Sequence, residues 1–475
     1  YNNFTQNLPQ QDQMRKNIFV LLVCVIGCYL LATFGSGCAQ VGFPTGGDKD
    51  TLAPVLVKAT PADGKLNFTG NKITITFDEY IELKELQSNL LVSPLPKKNP
   101  TIGSNLKTIN IKLKDTLQPN TTYSIHFGNA VVDVHEGNIL RDFSYTFSTG
   151  SYIDSLQIKG RAYLAETGKV DSTLQVYLYK NASDSDITTR RPDYITKLNS
   201  NGVFTFEHLP AASFKIYVLK DGDGGKTYNA KTETFAFTDV DINPAGRMDP
   251  IMLFAYAEEK EIPRSLPLPK QPLEKKLKYT ASITGKTQDI LQPLEFTFSN
   301  GLKKYDSSKI IVSDTNFRPL PNIIPVLDSN RKKISINIPW KPETFYTFIL
   351  PKEAFEDSAG NTLEKTDTVR FSSRRTSDYG RIVLRFKNID LSKHPVIQFL
   401  QTDAIKFSFP VTGTEWENKL FPPGEYDVRI LYDTNNNGVW DPGNYKEKLQ
   451  PERAISLPQK LGVKADWDNE REIQL

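Results

Sequence analysis

Oxygen-bearing side chains recur at alternate positions in Asp433, Asn435 and Asn437, followed by Gly438, Val439, Trp440 and Asp441. Such alternation lets a tight turn aim several oxygens at one centre, and glycine permits the sharp bend, as in the first half of an EF-hand-type loop. Val439 could add its carbonyl and Asp441 a ligand or a water contact. Position 12 of such a loop falls on Asn444, where a bidentate Glu would be required. Two readings stand: a weakly held hard cation such as Ca²⁺, or an Asn/Gly-rich hairpin turn, since these residues also favour positive φ. The run from Asp221 through Gly225 repeats the pattern in more degraded form.

Trp416, Trp440 and Trp467 fall close together near the end of the chain. Aromatic platforms bind sugars and anchor interfaces, whereas buried indoles fill cores. Both uses are open to these three. His126, His135, His208 and His394 are scattered without metal-ligand spacing, and Asp78, Glu79 and Asp154 have no partner that the sequence can place. No nucleophile elbow, His-Glu-x-x-His or phosphate-cradling glycine loop is present. The reading is therefore a noncatalytic chain.

The beginning of the chain carries a different chemistry. Arg15 and Lys16 follow Met14, which reads as the start. The apolar run Ile18–Phe34 comes next, and then Gly35, Ser36, Gly37 and Cys38. A basic head, an apolar stretch and small residues before a cysteine are the layout of a lipoprotein signal over 14–37, with lipid on Cys38. A retained span is the alternative, but the run falls short of the about 20 residues a span needs. Cys24 and Cys28, the other two of three cysteines, lie within the signal. Cleavage would leave no disulfide framework, no cysteine metal site and no thiol nucleophile. Lipid anchors a chain without crossing the bilayer. Residues 38–50 read as a tether.

The elements that must position these residues are strands. Aromatics make up 11% of the chain, with 27 Phe and 20 Tyr, and the net charge is only +3. That is a β composition without a basic run for nucleic acid. Segments such as Lys72–Phe77 and Thr108–Leu113 alternate apolar and polar between Gly, Pro, Asn and Asp turns, as in antiparallel sandwiches.

An internal repeat sets the organisation. Pro119, Thr121 and Tyr123 are echoed by Pro342, Thr344 and Tyr346. Asp133, Gly137, Asn138 and Leu140 are echoed by Asp357, Gly360, Asn361 and Leu363, and Phe147 by Phe371. Residues 51–150 and 278–375 thus read as two copies of one sandwich. The segments 151–256 and 376–475 share a turn, a loop and a long strand that ends at Asp221 or Asp433. Between the halves, 257–277 holds Pro263, Pro267, Pro269 and Pro272 and reads as a stiff linker.

The residues Pro61, Asp63, Gly64, Phe77, Tyr123, Asp133, Asn138, Leu140 and Phe147 resemble the SbsA-type bacterial Ig-like domain. The stretch from Cys38 through Pro44, Gly46 and Gly47 to Pro54 is similar to the mature start of Bacteroidota lipoproteins carrying that domain. Residues 158–220 resemble prealbumin-like modules of the carboxypeptidase-regulatory and adhesin B types. These resemblances imply an all-β chain of tandem Ig-like and prealbumin-like antiparallel sandwiches. They imply an outer-membrane lipoprotein, on either membrane face, without known catalytic residues. The expected role is an elongated binding or scaffolding arm in an envelope protein assembly. Alternatives are a glycan-binding lipoprotein using the tryptophans, and an accessory subunit of an enzyme supplied in trans.

Overall fold

The computed structural model describes residues 10–34, 49–246, 250–260, 276–314, 318–320 and 323–475. A helix, Gln10–Phe34, runs across Met14 and carries the apolar run. Met14, Ile18, Phe19, Leu21 and their neighbours are exposed on it. Among the described residues no helix is long and apolar enough to cross a membrane. Cys38 and most of the 38–50 tether lie outside the described residues, as do 261–275 of the expected linker.

After this helix the described residues are mostly strand and turn, with short helical turns such as Leu86–Asn89 and Asp186–Thr189, gathered around four main cores. In the first, Lys72–Phe77 turns Ile73, Ile75 and Phe77 inward, and Thr108–Lys112 turns Ile109 and Ile111 inward. The period-2 alternation seen in the sequence is thus the sandwich interior. One sheet orders Leu56–Thr60, Lys72–Phe77, Thr108–Lys112 and Thr101–Asn105, and the other Phe143–Ser148, Thr122–Gly128 and Leu91–Ser93. The third core, around Phe296, Phe348 and Phe355, repeats this order. Its sheets run Tyr279–Ala281, Leu294–Phe298, Lys333–Ile336, Val326–Leu327, and Thr287–Gln288, Asp367–Ser373, Phe345–Leu350, Ile311–Ser313.

The repeated motif has a physical cause. The Tyr123 hydroxyl accepts the Gln118 N–H at 2.7 Å, and the Tyr346 hydroxyl accepts the Lys341 N–H at 3.1 Å. Thr149 Oγ1 accepts the Thr121 N–H, and Ser373 Oγ accepts the Thr344 N–H, each at 3.0 Å. Each copy therefore ties the loop entering its long strand to a tyrosine inside that strand, a tyrosine corner.

The second and fourth units share another topology. Leu156–Leu164 pairs antiparallel with Val203–Leu209 and parallel with Ile251–Ala255. Gly380–Lys387 does the same with Glu415–Phe421 and Asp468–Gln474. The facing sheets order Tyr194–Lys197, Gln175–Lys180, Phe214–Leu219, Phe235–Phe237, and correspondingly Ala404–Pro410, Pro395–Gln401, Gly424–Tyr432, Arg453–Ser456. Leu277, at the edge of the expected linker, is buried in the third core.

Candidate functional site

The loop 433–452 leaves the long strand Gly424–Tyr432 and returns as Arg453–Ser456. Asp433 is buried, and its carboxylate accepts the Asn437 N–H at 3.1 Å and the Gly438 N–H at 2.6 Å. Asn435 Oδ1 and Asn437 Oδ1 accept the N–H groups of Asn437 and Val439. Asn435 and Asn437 in turn donate their amide hydrogens to Asp441 Oδ2, at 2.5 and 2.7 Å. Asn436 and Gly438 take φ of 59° and 80°. The structure therefore brings together all four residues named as possible ligands. It shows them satisfying one another and the turn backbone.

Glu452 completes this loop, and nothing in EF-hand spacing points to it. Its Oε1 accepts the N–H and hydroxyl of Thr434, at 2.7 and 2.9 Å, and its Oε2 accepts the Asp441 N–H at 3.1 Å. One buried carboxylate thereby clamps both ends of the turn.

Beyond the turn, the same loop docks on the second unit. Trp440 and Tyr445 pack against an aromatic cluster of Tyr177, Tyr179, Tyr217, Tyr228, Phe235, Phe237 and Tyr256. The Tyr445 ring meets Phe235 and Phe237 edge-on at 5.1 and 5.2 Å, and its hydroxyl donates to Asp184 O at 2.7 Å. The Tyr445 N–H goes to Glu258 Oε1, and Gln450 Nε2 to Phe237 O. Further along, Ala454 N donates to Ala165 O at 2.9 Å and Arg429 donates to Glu166 O at 2.7 Å. Arg429 is buried and also bonds Gln398 at 2.6 Å. Gly168, with φ +66°, lies so close that a Cβ there would sit 2.4 Å from Ala454 O. Units 2 and 4 thus share a close, hydrogen-bonded interface that bypasses unit 3. The chain returns from the fourth unit to the second, a pairing between units that the sequence left open.

The tryptophans separate by role. Trp416 packs among Phe399, Phe409 and Phe421 in the fourth core. Trp440 lies at the interface and donates Nε1–H to Glu452 O at 2.8 Å. Trp467 is 63% exposed, with Lys464 Nζ 5.0 Å from its ring centroid. These contacts place the three indoles in three different surroundings.

Asp154, unplaced by sequence, pins units 1 and 2. Its Oδ2 accepts the Thr122 hydroxyl, and its carbonyl lies 3.0 Å from His208 Nδ1. Units 3 and 4 meet where the Tyr379 hydroxyl donates to Asp289 at 2.6 Å and accepts the Ile290 N–H at 3.0 Å. His135 and His394 are exposed, and His126 and His208 are half-buried. Among the described residues, no three His, Cys, Asp or Glu side chains form a group able to hold a metal.

Asp133 is buried and accepts the N–H groups of Glu136 and Asn138, both at 2.6 Å, and of Gly137 at 3.1 Å. Burial pushes its carboxyl up, but these N–H groups outweigh burial and hold it at about 2. In the unfolded chain an Asp titrates near ~3.9. Its contribution to stability is therefore complete above pH ~4 and is lost as pH falls from there toward about 2. Chemical denaturation across that window should show wild type losing stability more steeply than Asp133→Asn. Parallel profiles would contradict this assignment.

The fold is that of a tandem β-sandwich protein, and one of its units can be placed in a family. Residues 50–149 match the bacterial Ig-like domain family. A search of curated proteins returns no match. Among solved structures, BcpA, the major pilin subunit of Bacillus cereus, is similar at 11% identity and a TM-score of 0.17. That match covers 68% of this chain and 99% of the pilin. The Bacillus anthracis TIE protein matches at 9% identity and 0.16, covering 91% and 76%. The N-terminal part of the bacterial S-layer protein SbsC matches at 12% and 0.16, covering 35% and 40%.

Proposed function

We propose that this chain is a lipid-anchored protein of the bacterial outer membrane, attached through Cys38, that binds or scaffolds an envelope protein partner without catalysing a reaction. The observation that carries this reading is the interface between units 2 and 4. Hydrogen bonds from Arg429, Ala454 and Gln450 hold the two together, so that surfaces far apart in sequence are presented in a fixed relation. Fixed presentation reduces the ordering cost of binding. A glycan-binding role keeps only Trp467 as an exposed indole of the three, and the protein-binding reading is preferred.

Crosslinking and affinity purification of the lipidated protein from native membranes, followed by mass spectrometry, tests the reading. Recovery of a stoichiometric membrane-protein partner is the expected result. Recovery of the protein alone from mild detergent would count against it. Cys38→Ser tests the anchor separately: the wild type should incorporate labelled palmitate and shorten by the signal, and the variant should do neither. Palmitate incorporation in the variant equal to wild type would remove the anchor from this reading.

A further inference from the structure

The second unit has its own acidic turn at the connection that holds Asp433 in the fourth. Asp221 follows Phe214–Leu219, and the chain returns at Phe235–Phe237. The two turns differ in how their carboxylates are used. Both Asp433 oxygens are taken by backbone N–H groups. The Asp221 side chain is only 3% exposed, yet its Oδ1 is buried without a hydrogen-bond partner. Its Oδ2 accepts the Tyr177 hydroxyl at 3.4 Å and lies 3.6 Å from Lys226 Nζ. A buried carboxylate oxygen without a partner is costly, and native structures rarely leave one so.

Asp223 lies two residues on, with Gly222 and Gly224 leaving the turn free of bulk. Its Oδ1 accepts the Gly225 N–H and its Oδ2 the Asn229 amide, each at 2.7 Å. Each oxygen keeps a lone pair for a further contact. Asn229 is itself fixed, its N–H held at 2.9 Å by Glu233 Oε2. The Tyr256 hydroxyl, another buried oxygen without a partner, belongs to the aromatic cluster that contains Tyr177.

We propose that the Asp221–Asp223 turn binds a hard divalent cation of the Ca²⁺ type. The two carboxylates anchor the ion and balance its charge, and Asp221 Oδ1 is the ligand left open for it. Peptide carbonyls and water complete the shell, which suits Ca²⁺ better than the strict octahedron of Mg²⁺. Lys226, 25% exposed at its side chain, holds one carboxylate oxygen when the cation is absent and must yield when it binds. This goes beyond the proposed scaffolding role, which assigns the second unit no ligand.

Tb³⁺ in place of Ca²⁺ gives the test, because Tyr177 stands close enough to Asp221 to sensitise its luminescence. The full chain should show saturable emission that Ca²⁺ displaces. Asp221→Asn should weaken Tb³⁺ binding by about tenfold or more, whereas Asp433→Asn should leave it unchanged. Lys226→Ala should tighten binding several-fold, because it removes a competing cation. A purely structural ion pair predicts no such gain, so this variant decides the matter even if Asp221→Asn fails to fold. Absence of saturable emission, loss only in Asp433→Asn, or unchanged or weaker binding in Lys226→Ala would overturn the site. None of these outcomes depends on whether an envelope partner is found.

Discussion

Replacing Gly168 by valine separates the second and fourth units. A Cβ at this position would lie 2.4 Å from Ala454 O and 2.9 Å from Ser456 N, both backbone atoms of the partner strand. No rotamer relieves a clash with backbone, and the left-handed φ of +66° is itself unfavourable to a β-branched residue. The Ala454–Ala165 hydrogen bond is lost with the approach. The loop around Tyr445 then leaves the aromatic cluster, because the same interface holds both. Tyr445→Ala attacks the other end, and removing a ring that meets Phe235 and Phe237 edge-on should weaken docking by about 3 kcal/mol. Hydrogen exchange of amides in 433–452 reads both variants, and each should lose protection there while the four cores keep theirs. Gly137→Val, where the position is open, is the control for glycine replacement alone. Unchanged protection in Gly168→Val would mean that the two units do not pack in this way.

The second large effect belongs to Asp357. It is buried in the third unit, where Oδ2 accepts the amides of Asn300 and Asn361 at 2.7 and 3.0 Å, and Oδ1 accepts the N–H groups of Ala359 and Asn361. Burial pushes the carboxyl up, but the Asn361 and Asn300 amides and the two backbone donors outweigh it and hold it below the usual range. Asp357→Ala strands these donors, Asn300 among them in a buried position, and should cost about 3 kcal/mol. Asp357→Asn should cost less, since one amide oxygen still accepts. Thermal unfolding followed by near-ultraviolet circular dichroism orders the variants, and an alanine variant as stable as wild type would refute the assignment.

What could be read from the sequence was what depends on neighbours in sequence. Lys72–Phe77 announces its buried face because strand geometry sends alternate residues inward. Tyr123 and Tyr346 mark a duplication because each serves the same local corner. The turn at Asp433 was legible as a turn, and its oxygens do converge, though on the turn's own donors. The interface was not legible. Tyr445 and Tyr217 lie 228 positions apart and Gln450 and Phe237 lie 213 apart, and nothing in any of these local patterns refers to its partner. Trp440 owes its packing to long-range contact in the same way, whereas Glu452 clamps its own loop at spacings that no local motif marks. Asp154 appeared as a lone acid because its partner, Thr122, belongs to the preceding unit.

The pairing of first and last strands in the fourth unit bears on how this protein would answer a pulling force. Gly380–Lys387 and Asp468–Gln474 run parallel, in register from Arg381 with Asp468 to Lys387 with Gln474. If tension is applied between the start of the first strand and the end of the last, the two slide against each other lengthwise. The whole ladder then carries the load together, and its bonds cannot break in succession as they do when a hairpin is peeled open. The second unit has the same arrangement between Leu156–Leu164 and Ile251–Ala255. A chain held at one end and drawn at the other would meet two such mechanical clamps in series.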